Sequence, residues 1–95
     1  MMTDEELDNL IKDMSGQLKQ LTDDPERKLT KQERKDKYLL AAKIAAVEKI
    51  KAAREKGNLN QEIRASMDYN LLVEYGHRNP LLFNYIRSQT RWFGF

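Results

Sequence analysis

One stretch constrains this chain more than any other: Tyr38-Leu39-Leu40-Ala41-Ala42-Lys43-Ile44-Ala45-Ala46-Val47, ten residues interrupted by a single charge. Placed on a helical wheel, Leu40, Ile44 and Val47 form one stripe, Leu39, Ala46 and Ile50 a second beside it, and Ala41, Ala45 and Ala52 a third on the far side. A helix that is apolar nearly all round must be covered nearly all round, and its alanines let neighbours come close. Flanking elements are therefore expected on at least two sides, from the same protomer or from a second chain. The ends of this helix are marked by local chemistry. Thr30 and Glu33 make a capping box before Lys31, and Gly57 follows Lys56 in the left-handed capping position.

The flanking elements are legible on either side. Thr3 and Glu6 form another capping box, and Asp4, Glu5 and Glu6 suit the positive end of a helix dipole. Leu7, Ile11, Met14, Leu18 and Leu21 then recur at alternating four- and three-residue spacing, widened by Leu10, which is a heptad seam and the candidate helix-packing interface. Gly16 costs this helix about 1 kcal/mol relative to alanine, so packing must hold it. Thr22-Asp23-Asp24-Pro25 ends it, because proline cannot continue a helix and biases the residue before it away from helical geometry.

Beyond Gly57, Asn58 or Asn60 caps a third helix over about 60–75, with Ile63, Met67, Leu71 and Tyr75 at strict four-residue spacing, Leu72 beside them, and Gly76 at its end. Asn79-Pro80 opens a fourth helix over about 80–89, with Leu81, Leu82, Tyr85 and Ile86 as its apolar face. An aromatic tail, 91–95, closes the chain. The expected fold is all-α: a single domain, residues 1–95, built as a small bundle of three or four helices around a long central one, with dimerisation as a way to complete it.

Composition narrows the class. A chain of 95 residues buries only about 60–65 % of its unfolded surface, so its core is thin. With 34 % charged and 40 % apolar residues it is too apolar for a disordered chain and too charged for a membrane protein. No run approaches the roughly 18 apolar residues of a membrane span. The acidic start lacks the basic and apolar runs of a signal peptide, so the expected location is cytoplasmic. Residues 1–24 carry a net charge of −5, residues 25–56 a net +6 and residues 57–95 a net +1. The first two segments are electrostatic complements, and either they cancel each other or the basic one meets an anionic partner.

Catalytic chemistry has little to work with. There is no cysteine, which removes disulfides, thiolate metal sites and cysteine nucleophiles together, and there is one histidine. Glu74 and His77 have the Glu-x-x-His spacing of carboxylate-bridged di-iron helices, but no second copy of the motif exists and Gly76 lies between them. The chain is read as no enzyme, with no catalytic residues, no metal and no cofactor.

Two binding readings follow from the residues. The turn at Gly57 resembles the spacing of a DNA-binding helix-turn-helix: Ala53 lies four before the glycine and Ile63 six after it, although Lys56 stands where an apolar residue belongs. Asn60, Gln61 and Arg64 would then face bases and phosphates, joined by Arg34 and Lys35 of the basic run Arg27-Lys28, Lys31, Arg34-Lys35 and Lys37. Glu26, Glu33 and Asp36, however, are interleaved with these bases at helical pairing distances. The leading reading is a protein partner. Trp92, Phe93 and Phe95 must dock somewhere, on this chain's own core or in a partner's pocket with Arg87 and Arg91 at the rim. Together with the seam and the all-round apolar helix, they describe a non-catalytic regulator, adaptor or accessory subunit working by helix packing, alone or as a homodimer. No membrane is expected among its partners, and nucleic acid is the alternative.

Overall fold

The computed structural model describes residues 2–24 and 26–76, with Tyr75 described by its backbone alone. The described residues form three helices and no strand: α1 over Asp4–Thr22, α2 over Lys31–Lys56 and α3 over Leu59–Tyr75. The fourth helix expected over 80–89 and the tail 91–95 lie outside the described residues.

Each helix begins for a local reason, and α2 ends for one. Thr3 is extended and its hydroxyl accepts from the Glu6 amide at 3.1 Å. At α2 the box is reciprocal: the Thr30 hydroxyl accepts from the Glu33 amide at 3.1 Å, and the Glu33 carboxylate accepts from the Thr30 amide at 3.0 Å. Gly57 takes φ 67° and ψ 24°, which lets the Asn58 amide donate back to the Ala53 carbonyl at 2.9 Å. The cap of α3 is Asn58 rather than Asn60: its side chain accepts from the Gln61 amide at 3.2 Å, so the helix starts at Leu59.

Both α1 and α3 lie antiparallel along α2 and scarcely touch one another. Asp4 and Asp8, at the start of α1, pair with Arg54 and Lys51 near the end of α2, and Glu62, in the first turn of α3, pairs with the same Arg54. One core cluster joins Leu7 and Met14 of α1 to Leu40, Val47 and Ile50 of α2 and Ala65 of α3. A second joins Leu39 and Ala46 of α2 to Leu72 of α3. Tyr69 packs against both and fills the junction. Each large side chain so buried contributes roughly 1.5–3 kcal/mol.

The strict four-residue row of α3 does not pack inward. Leu72 is buried, but the rest of the buried face is Glu62 and Ala65, while Ile63, Met67 and Leu71 point outward. The cause lies in what α2 offers. Its side toward α3 carries Ala42 and Ala46, whose small side chains leave room for Leu72 and Tyr69 to pack against them. Gly76 shows how close: a Cβ there would fall 2.5 Å from Leu39 Cδ2 and 2.6 Å from the Leu72 carbonyl oxygen. Its φ of −55° is ordinary, so the glycine serves proximity and not a left-handed turn. The third stripe of α2 is divided, with Ala41 and Ala45 buried and Ala52 exposed.

Candidate protein-interaction face

The exposed large apolar side chains among the described residues all belong to α3: Leu59, Ile63, Met67, Leu71 and Val73, each 43–60 % exposed. The first four form one row along the helix because a step of four residues turns only about 40°. Centred on Ile63 and Met67, this row is opposite the inward face of Glu62, Ala65, Tyr69 and Leu72. Along its middle it runs into a hollow of about 520 Å³, where Ile63 and Met67 of α3 face Met2, ahead of α1, and Glu6 of α1 across a floor that includes Ile50. The apolar surface thus continues from one helix toward another.

Arg54 closes that hollow. Its guanidinium donates to the Asp4 carboxylate at 2.9 Å and to the Met2 carbonyl, and it pairs with Glu62 at 3.2 Å, so one side chain of α2 ties down the starts of both neighbours. The Glu62 side chain is only 10 % exposed, and Arg54 is the cation that compensates it. The hydrogen bond to Asp4 first, and then that to Glu62, hold the Arg54 pKa above the ordinary arginine value. Neighbouring Lys51 is raised in the same way by Asp8. The acidic start of α1 therefore meets the C-terminal half of α2, and not the basic run at its beginning.

That basic run is matched locally. Arg27 pairs with Glu33 at 2.8 Å, and Gln32 donates to Asp36 at 3.2 Å. The Glu33 carboxyl is held below its usual range, first by the Thr30 amide and, among the charges, by Arg27. A hollow of about 540 Å³ beside these residues is lined by both signs of charge, Arg27 and Lys43 against Glu33 and Asp36.

The sequence-predicted site residues are distributed accordingly. In α1, Leu7 and Met14 are buried and Ile11, Leu18 and Leu21 half-buried, all in the cluster against α2, so this seam is spent inside the protomer. Arg34 is exposed and Lys35 half-buried in the first turns of α2, while Asn60, Gln61 and Arg64 are exposed at the start of α3. The two groups sit near opposite ends of α2, roughly 25 Å apart along its axis, and are not brought into one surface. The turn at Gly57 is an αα-hairpin with antiparallel helices, and Ile63, which a helix-turn-helix would lock between them, is 43 % exposed. Trp92, Phe93, Phe95, Arg91, Arg87 and His77 lie outside the described residues.

The residues with the most structural consequence that spacing alone does not reveal are Arg54, Glu62 and Tyr69. Burial pushes the Tyr69 phenol above its ordinary pKa, as its place between two clusters requires. Glu62 reads in sequence as a first-turn acid, and nothing in its spacing signals a partner on another helix. Among the described residues no group of three or more potential ligands could hold a metal ion, and no helix is long and apolar enough to cross a membrane. No protein family model, no curated protein and no solved structure matches this chain.

Proposed function

We propose that this chain is a non-catalytic helical interaction protein, a small regulator, adaptor or accessory subunit of the cytoplasm that binds a protein partner through apolar helix faces. The observation that carries this reading is the row Leu59, Ile63, Met67 and Leu71, a continuous apolar ridge left on the outer side of α3. A surface of that kind is costly to leave in water and suits a partner that presents an apolar groove or helix face. In the same reading α2 is the central helix of the bundle, residues 80–89 supply a fourth, and Trp92, Phe93 and Phe95 act as aromatic anchors with Arg87 and Arg91 at the rim.

Affinity capture with a tag at the N-terminus tests it, comparing the wild-type chain with Met67→Glu in nuclease-treated lysate of the native host. A protein recovered by the wild type and lost with Met67→Glu supports the reading. Recovery that disappears on nuclease treatment, and depends on Arg34 or Arg64 instead, would favour nucleic acid.

A further inference from the structure

We infer that the outer ridge of α3 is a self-association surface, and that its occupant is a second copy of this chain, related by a two-fold axis that sets the two α3 helices antiparallel. This rests on the proposal above that the ridge binds protein. What it adds is the identity of the partner, and charge carries the argument. Arg64 and Asp68 lie four residues apart on one flank of the ridge, both exposed. Neither has an ion-pair partner among the described residues. The other flank carries Ser66, Asn70 and Val73 without charge, and Glu74, exposed a turn further on, lies far from its own copy when the helices are antiparallel.

A two-fold axis that reverses one helix against its copy keeps each flank facing its own counterpart. Arg64 of one copy then lies opposite Asp68 of the other, and Asp68 opposite Arg64, so one register forms two identical ion pairs. That register centres the axis near Ser66 and Met67. There the ridges interdigitate, Met67 beside Met67 and Ile63 toward Leu71, as rows of four-residue spacing do. Parallel helices about a two-fold axis would instead set this flank against the other one, Ser66, Asn70 and Val73 of the second copy, and form neither ion pair. The flank is thus complementary to itself in the antiparallel orientation alone, where two ion pairs form that the parallel one lacks. A contact confined to one helix pair is smaller than a standard interface of about 1,600 Å², so the dimer is expected to dissociate in the micromolar range.

Sedimentation equilibrium of the full chain, up to on the order of 100 µM, tests this. The expected results are a monomer–dimer equilibrium for the wild type and a dissociation constant at least ~100-fold weaker for Met67→Glu, which changes both copies at the centre of the contact. The charge cycle is the decisive part. Arg64→Asp alone and Asp68→Arg alone should each weaken the dimer by about tenfold or more, and the double swap should restore it to within about threefold of wild type. Because the chain has no cysteine, Met67→Cys should also give a disulfide-linked dimer under mild oxidation, while Asn9→Cys on the far side of α1 should not. Three results would overturn the inference. The wild type could be monomeric throughout; the double swap could be no better than the single swaps; or Met67→Glu could sharply lower the melting temperature of a monomer, which would mean the chain covers its own ridge. A monomeric chain that still captures a different protein through Met67 would overturn the dimer alone and leave the interaction reading standing.

Discussion

At the scale of single residues, Arg54 carries more of the architecture than its type suggests. A guanidinium has enough donors to serve several acceptors at once, and here it serves Asp4, Met2 and Glu62. The arrangement is asymmetric in energy: the pair need not be stabilising as a whole, but losing one member leaves a nearly buried carboxylate without its cation. Arg54→Met is therefore expected to lower the melting temperature, read by circular dichroism. Adding Glu62→Leu should recover part of the loss by replacing the pair with apolar contact. Lys51→Met, which breaks an exposed pair with Asp8, should change little. Equal effects of Arg54→Met and Lys51→Met would show that Glu62 finds solvent when its partner is removed.

At the scale of elements, three glycines predict three different responses to alanine. Gly16 lies exposed within α1 with open space around it, so Gly16→Ala should stabilise by about 0.5–1 kcal/mol through helix propensity alone. Gly57 also has open space, but its φ of 67° strains any side chain, and Gly57→Ala should cost about 1 kcal/mol. Gly76→Ala meets Leu39 and the Leu72 carbonyl, and forcing α3 away from α2 should cost about 1–3 kcal/mol. Urea denaturation of the three variants checks the order of signs. The same contrast explains what was legible in the sequence. Caps are local chemistry, so Thr3, Thr30 and Gly57 announce the ends of helices without any knowledge of the fold. Which face of α3 turns inward depends on the alanines of α2, thirty residues or so away in the chain, so the spacing of Ile63, Met67 and Leu71 does not by itself decide it. The ion pair of Arg54 with Glu62 is illegible for the same reason, since it exists only once α3 has folded back.

At the scale of the whole molecule, a thin core is shared unequally. Leu7, Leu39, Val47 and Ile50 are the largest fully buried side chains, and Leu7 is α1's only member of that group. Leu7→Ala should cost about 2–4 kcal/mol, against the few kcal/mol that a core of this size supplies, and is expected to leave the protein largely unfolded at 37 °C by circular dichroism. Leu71→Ala, on the exposed ridge, should leave the fold intact in the same measurement. The antiparallel order also bears on how the structure forms in time. Because α1 and α3 each rest on their sequence neighbour α2 and barely on one another, most contacts are made between segments joined by a short connection, and little loop-closure entropy precedes them. A chain with that pattern folds in microseconds to milliseconds, and as it leaves the ribosome from its N-terminus, α1 and α2 can pair before the residues of α3 have been synthesised.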